Sequence, residues 1–343
     1  MSNNSELLSK QQLEEASLTI KKVLNELNRI LIGRDELHKL VITGILSKGH
    51  ILLEGLPGVG KTALIKTLSQ IMDLKFSRVQ FTPDLMPGDI LGSHILQQDD
   101  HGRRIMEFHK GPVFTNILLA DEINRASPKT QSALLEAMQE RSVTLMGETM
   151  PLPEPFFVLA SQNPIELEGT YALPEAQLDR FMFKLEVKSA DTDTMKAIIT
   201  SRRHGEPPKP EFILTSEELD RLFSTVNGIY LSDAVADYIA RLVAATTPSE
   251  KSISEVNNFV QYGASPRAAI AVSEAARATA LIAGRPSVGF SDVREVFVAA
   301  LNHRILLNYK AGFEGMTTFK LLEKIISSVT TADFGNEAEV KFA

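Results

Sequence analysis

The densest chemistry in the chain lies in eight residues, Gly55-Leu56-Pro57-Gly58-Val59-Gly60-Lys61-Thr62. Their G-x-x-x-x-G-K-T spacing is that of a loop that cradles phosphates. Glycines let a backbone curl so that successive N–H groups aim inward at an anion. A short apolar run, Ile51-Leu52-Leu53, precedes the loop as a buried strand would, and Ala63-Leu64-Ile65-Lys66-Thr67-Leu68 follows with helix-forming character. A strand, a glycine loop and a helix N-terminus therefore meet at one point, and the helix end adds partial positive charge that favours a polyphosphate. In this reading Gly55, Pro57, Gly58, Val59, Gly60 and Ala63 shape the cradle. Lys61 reaches the β and γ phosphates, and Thr62 holds a magnesium ion.

A second cluster follows the apolar run Ile117-Leu118-Leu119-Ala120, which ends in Asp121-Glu122. A buried strand projects both carboxylates at its end. Asp121 would complete the magnesium site, with water or phosphate oxygens in the remaining positions, and Glu122 would polarise an attacking water. Such a pair is common by chance; its place downstream of a phosphate loop gives it weight. Asn163 ends another apolar strand, where its amide can orient the water or contact the γ phosphate; the alternative is a turn residue before Pro164. Arg180 just precedes a core strand. It is either structural or a finger that reaches a neighbouring subunit's nucleotide, a device that supplies roughly 10³–10⁵ in rate. Arg267 begins a helix, where a cation opposes the dipole; it either senses the γ phosphate from above or is simply exposed.

Composition sets the outer bounds. The 343 residues suffice for two domains, and a hydrophobic content of 43% allows a proper core. The net charge of -7 argues against a protein that coats nucleic acid. With no cysteine, disulfides, thiolate zinc sites and cysteine nucleophiles are excluded. The opening residues Met1-Ser2-Asn3-Asn4-Ser5-Glu6 lack the basic flank and apolar run of a signal peptide. No run is long enough to cross a bilayer, so a soluble, cytoplasmic protein is expected.

The elements that must position these groups are legible in part. Residues from about Gln11 to Leu31 read as a helix, with Leu18, Leu24, Leu27 and Leu31 at helical spacings. A second helix carries Leu37, Leu40, Val41 and Ile45 and is expected to stop at Gly49. Phe76–Phe81 reads as a strand. Ile90–Leu96 and Arg103–Phe108 read as extended arms of an inserted hairpin whose turn holds His101. Pro128–Glu140 reads as a helix. A second hairpin is expected over 143–152, turning at Gly147-Glu148. Phe156–Ala160 and Phe181–Leu185 are further core strands. The prolines of His204-Gly205-Glu206-Pro207-Pro208-Lys209-Pro210 mark a linker. Beyond it the pattern is all helical, with a capping box at Thr215 and Glu218, helices opened by Ser232 and Ser291, and Ser265-Pro266 as N-cap and first-turn proline.

Taken together, the chain resembles a MoxR-type AAA+ ATPase over nearly its whole length. The motifs that carry the resemblance are the phosphate loop; Leu118-Leu119-Ala120-Asp121-Glu122-Ile123-Asn124-Arg125-Ala126; Leu134-Leu135-Glu136-Ala137-Met138-Gln139-Glu140-Arg141; Gln162-Asn163-Pro164; Leu173-Pro174-Glu175-Ala176-Gln177-Leu178-Asp179-Arg180-Phe181; and Gly263-Ala264-Ser265-Pro266-Arg267-Ala268. The resemblance implies an α/β fold: a P-loop core with a parallel five-stranded sheet and inserted β-hairpins over 1–208, and a smaller all-helical lid over 209–343. It implies ATP and Mg2+ as cofactors, Asn163 as sensor 1, Arg180 as arginine finger, Arg267 as sensor 2, and Ile32-Gly33 as a wall of the adenine pocket. Arg125 and Arg141 also match motif positions and can share the finger role. A hexameric ring is implied, with the hairpins at the pore or its rim. So is a chaperone-like role on protein clients or metal-cofactor insertion, with a von Willebrand factor A-domain adaptor. Related classes share this core: a minichromosome-maintenance-type nucleic-acid motor, and a magnesium-chelatase-like motor subunit. The first is disfavoured by the short stretch before Ile32. A nucleotide-controlled scaffold, whose assembly rather than turnover matters, is the non-enzyme reading.

Overall fold

The structure is a computed structural model that describes residues 8–98, 104–164, 169–201 and 207–331. The turn expected around His101, part of the proline linker and the first residues lie outside that set. Two helices come first. α1 (Lys10–Ile30) starts at a capping box made by Ser9 and Gln12, and α2 (Asp35–Leu46) has Asp35 and Glu36 in its first turn, where they complement the helix dipole. The stripe that α1 buries is Leu13, Ala16, Ile20, Val23, Leu27 and Ile30. Leu18, expected on that face, is exposed, because the β-branched Ile20 and Val23 set the phase of the helix. α2 does not end on a left-handed Gly49. Lys48 takes the positive φ of 54°, while the Gly49 N–H bonds the Gly44 carbonyl. Gly49 is required for space instead, since a Cβ there would lie 2.5 Å from the Met182 sulfur.

β1 (Ile51–Glu54) leads through the phosphate loop into α3 (Lys61–Ile71), and β2 (Phe76–Gln80) follows. Ile90 and Leu91, expected to be extended, belong to α4 (Pro87–Leu91), which has a proline at its first position. The first hairpin is β3 (Gly92–Gln98) with β4 (Arg104–Lys110). β5 (Ile117–Asp121) is followed by α5 (Pro128–Glu140), capped by the Ser127 hydroxyl. β6 (Ser142–Leu145) and β7 (Glu148–Pro151) form the second hairpin. Its turn is Met146-Gly147, at φ 51° and 84°, rather than Gly147-Glu148. Two positive φ values in a row match the twist of the strands. Then come β8 (Phe157–Gln162), α6 (Glu175–Leu178), β9 (Phe183–Glu186) and α7 (Thr192–Ser201).

β1, β2, β5, β8 and β9 form one parallel sheet in the order β2-β5-β8-β1-β9. Alternation along its strands feeds two cores. Ile51, Leu53, Ile117, Leu119, Phe157 and Leu159 face α1–α3, whereas Leu52, Leu118, Ala120, Val158 and Ala160 face α5. The C-terminal part comprises α8 (Ser216–Gly228), α9 (Asp233–Ala244), α10 (Ser254–Phe259), β10 (Val260–Tyr262), α11 (Pro266–Ile282), α12 (Phe290–Leu301), β11 (Leu306–Leu307), α13 (Tyr309–Phe313) and α14 (Thr318–Ser328). The Thr215–Glu218 box, the Ser232 cap and the Ser265 cap all form. Ser291 lies inside α12, which starts from Gly289 because the Asp292 carboxylate takes the Gly289 N–H. The helical pattern is interrupted by a small antiparallel pair, β10 with β11. α1 packs on α3 and also on α8 and α11, so residues from both ends of the chain share one apolar core.

Candidate functional site

Strands β5, β8 and β1 are neighbours and run parallel, so their carboxyl ends, where α/β sheets bind ligands, open on one spot. The phosphate loop leaves β1 there. Gly58 and Gly60 have φ of 78° and 88°, the left-handed region, and a Cβ at Gly58 would meet nothing within 4 Å. Open space over a curled backbone is what an anion cradle requires. Gly55 is packed the other way: a Cβ there would lie 2.6 Å from the Val187 carbonyl oxygen. Lys61 begins α3 and is buried. Its Nζ donates to the Gly55 oxygen at 2.6 Å and the Gln162 oxygen at 3.4 Å, holding the ammonium between the ends of β1 and β8. Burial lowers its pKa, and Asp121, Glu122 and Glu54 oppose that shift. Thr62 and Ala63 follow, half-buried, in the first turn of α3.

Asp121 ends β5 as a buried carboxylate. Its Oδ1 accepts from the Ser161 hydroxyl, and its Oδ2 accepts from Arg78 Nη2 at 2.7 Å and Nε at 3.1 Å. Glu122 turns off the strand at φ 56°. Its N–H donates to Ser161 Oγ at 2.9 Å, and its Oε2 accepts from Gln80 at 2.8 Å and Arg125 at 3.1 Å. Asn163 is buried one residue beyond β8, the strand paired with β5. The structure thus brings Lys61, Thr62, Asp121, Glu122 and Asn163 to adjoining strand ends. It adds Ser161, Arg78 and Gln80, to which the sequence reading gave no role. The signal for Ser161 is a hydroxyl directly after the apolar run Phe157–Ala160 of β8.

A cleft of about 540 Å³ is lined by Pro57–Gly60, by Ile32 and His38, and by Met195 and Ile198 of α7. α7 was not read from the sequence, although Met195, Ile198 and Ile199 fall at helical spacing. Ile32 lines this cleft, as expected. Gly33 does not; it lines an adjoining, larger cleft of about 720 Å³ that shares Arg34, Ser189, Ala190 and Thr194 with the first. Its φ of 82° and a Cβ that would lie 2.4 Å from Thr194 Oγ1 show why the position is glycine.

The candidate arginines lie outside both clefts. Arg180 is half-buried and donates to the Leu135 carbonyl of α5. Arg267, largely exposed, sits 3.6 Å from Asp179. The other oxygen of Asp179 accepts from Arg304 at 2.7 Å, and Arg304, almost wholly buried, also bonds the carbonyls of Asp179, Phe181 and Met182. Arg125 is turned onto its own Glu122, and Arg141 is exposed at the end of α5 in a left-handed conformation.

A model of the ATPase family associated with various cellular activities (AAA) matches residues 50–183, and one of the AAA lid domain matches 254–325. Chaperone MoxR1 of Mycobacterium tuberculosis is 44% identical over 312 residues, 91% of this chain and 82% of that protein. The chain belongs to the MoxR family of AAA+ ATPases. Protein MoxR of Methylorubrum extorquens is 30% identical over 82% of this chain and 86% of its own. The crystal structure of a Cytophaga hutchinsonii protein assigned as an ATPase superposes with a TM-score of 0.85 at 41% identity, covering 93% of this chain and 97% of that one. The MoxR-type core and helical lid are therefore shared architecture. Among the described residues no helix is long and apolar enough to cross a membrane.

Proposed function

We propose that this MoxR-family chain binds and hydrolyses ATP with Mg2+ and uses the cycle to remodel partner proteins. The carrying observation is the convergence of Lys61, Asp121 and Glu122 on the carboxyl ends of three adjacent strands. The residues fit a metal-bound nucleotide: a buried ammonium among neutral carbonyls, an open glycine cradle, and two carboxylates held by donors rather than by each other.

In this reading the amides of Gly58–Thr62 and the Lys61 ammonium hold the phosphates, and Thr62 with Asp121 holds the metal. The bound metal supplies charge neutralisation at the phosphates. Glu122 accepts a proton from the attacking water, which requires its Oε2 to leave Gln80 and Arg125. Asn163 orients that water. Arg180, Arg125 or Arg141 completes a neighbour's site, and Arg267 senses the phosphate end after releasing Asp179. A homo-oligomeric ring, hexameric as in the resemblance, brings these arginines to the next subunit. Domain limits of 1–208 and 209–343, work in the cytoplasm, an adaptor with a von Willebrand factor A domain, and assistance to metal-cofactor insertion belong to the same proposal. The chaperone part draws on the name of the Mycobacterium tuberculosis relative.

The test is Glu122→Gln beside Lys61→Ala. Glu122→Gln should bind ATP as the wild type does and lose turnover by at least about a hundredfold, whereas Lys61→Ala should lose binding. Undiminished hydrolysis by Glu122→Gln would refute the mechanism.

A further inference from the structure

His38 is a histidine with one edge held and the other waiting. It lies on α2, is wholly buried, and lines the 540 Å³ cleft that Pro57–Gly60 also line. Its Nδ1 is 2.6 Å from the Oδ1 of Asn28 on α1. A carboxamide oxygen can only accept, so Nδ1 carries the proton. Burial pushes the ring's pKa down to about 4, and a neutral imidazole has only one N–H. Nε2 is therefore a bare lone pair. It has no hydrogen-bond partner, in a setting where buried polar atoms nearly always have one. His38 lines a ligand-sized cleft, so a donor entering that cleft can complete this buried acceptor once the neighbouring wall parts.

The rest of the cleft says which donor. Its lining includes the phosphate loop. The lining also holds the apolar side chains of Leu31, Ile32, Met195 and Ile198, against which a planar ring can pack. The wall that can part to admit a ring is α7, none of whose residues is buried. A purine whose phosphates sit at Gly58–Gly60 places its base among these residues, of which His38 on α2 offers the unpaired acceptor. Adenine carries an amine at position 6; guanine and hypoxanthine carry an oxygen.

We propose that Nε2 of His38 accepts a hydrogen bond from the 6-amino group of adenine, making His38 the residue that selects the base. This rests on the nucleotide-site reading above and adds specificity to it. A guanine oxygen would face the lone pair and repel it. A purine with no 6-substituent would leave Nε2 unsatisfied, a loss of about tenfold or more in affinity.

The experiment is calorimetric binding of ATP, purine riboside triphosphate, which lacks only the amine, and GTP to the full chain. Wild type should bind ATP about tenfold tighter than the analogue, with GTP weaker still. His38→Leu should bind ATP and the analogue within twofold of each other, and His38→Gln, which keeps an acceptor, should recover part of the preference. In wild-type protein labelled with ¹⁵N-histidine, the Nε2 resonance should move with ATP and stay with the analogue; this readout does not depend on the variants folding. An unchanged ATP preference in His38→Leu, a preference for GTP, or an Nε2 signal indifferent to ATP would each overturn the assignment while leaving the nucleotide site standing. Binding of none of the three by wild type would remove the site itself, and His38's role with it.

Discussion

Asp179→Ala should be among the most damaging single changes in the chain, although Asp179 lies outside both clefts. Arg304 is 4% exposed in its side chain and is the residue that would suffer. Burial already lowers its pKa, and the Asp179 carboxylate is what opposes that shift. Removing the carboxylate leaves a buried guanidinium with only carbonyl dipoles from Asp179, Phe181, Met182 and Ala300. Breaking such a pair by deleting one partner costs about 3–5 kcal/mol. At about 2 °C per kcal/mol for a chain of this size, the melting temperature should fall by roughly 6–10 °C. Asp179→Asn keeps an acceptor for Arg304 Nε and should lose only about a third of that. Besides Arg304, Asp179 accepts from the Ser265 hydroxyl at 3.3 Å and faces Arg267, which contributes little because it is 63% exposed and 3.6 Å away. Arg267→Ala should therefore melt within about 2 °C of wild type. Differential scanning fluorimetry of the three variants decides the matter. An Asp179→Ala protein that melts with wild type would show that the lid end of α12 is not held to the Arg180 segment by this charge.

The remaining expectations are shorter. Ser161→Ala removes the donor to Asp121 and the acceptor of the Glu122 N–H. It should cost about 1–3 kcal/mol and slow hydrolysis while changing ATP affinity little, measured by melting, kcat and titration; a wild-type rate would refute the role. Glu122→Gly should melt about 2 °C above Glu122→Ala, because both lose the same side-chain bonds but only alanine must hold φ 56°. Equal melting would mean that the left-handed turn is not adopted. Burial pushes His38 and His303 down to about 4 and about 3. Their folded values lie below the unfolded value of about 6.5, so the unfolded chain binds protons first and stability falls as pH drops below about 6.5. At pH 5 the loss is about 2 kcal/mol for each, with no change between pH 7 and 8 from these groups. The lowered Glu26, at about 2, contributes in the same direction only below about 4.5. Melting temperatures across pH 5–8 check this, and a flat profile would contradict the buried neutral rings.

How much was legible divides along a physical line. The phosphate loop, the acidic pair and the start of α11 were readable because their signals are local: glycine spacing, an apolar run closed by carboxylates, a serine cap before a proline. The strand order was not derivable from any one of them; the family resemblance supplied a parallel five-stranded sheet but no order. Leu18 was misplaced because leucine spacing alone does not set a helix's phase when Ile20 and Val23 compete for the core. Ile90 was read as extended because an apolar pair is ambiguous without the weight of Pro87 as a helix start. α7 escaped because its apolar residues stay unburied and cover a cleft instead of a core. Arg78, Gln80 and His38 had no sequence signal, since each acquires its role from an element far along the chain or from a neighbouring helix.

The geometry at Glu122 shows why the acidic pair needs more than a buried strand. Along an extended strand, consecutive side chains point to opposite faces. Asp121 and Glu122 would then part across the sheet. The chain avoids this by leaving β5 at Glu122 with φ 56°, a conformation that costs a non-glycine residue about 1–2 kcal/mol. Bonds made only in that conformation offset the cost: the N–H to Ser161, and the carboxylate to Gln80 and Arg125. Ser161 links the two acids through one hydroxyl, which fixes Asp121 and the turn after it together. The carboxylate of Glu122 rests on exposed partners alone, whereas Asp121, besides the exposed Arg78, is anchored by the wholly buried Ser161 hydroxyl. One acid is thus built to stay and the other to move, a division that a metal ligand and a water-activating base would each require.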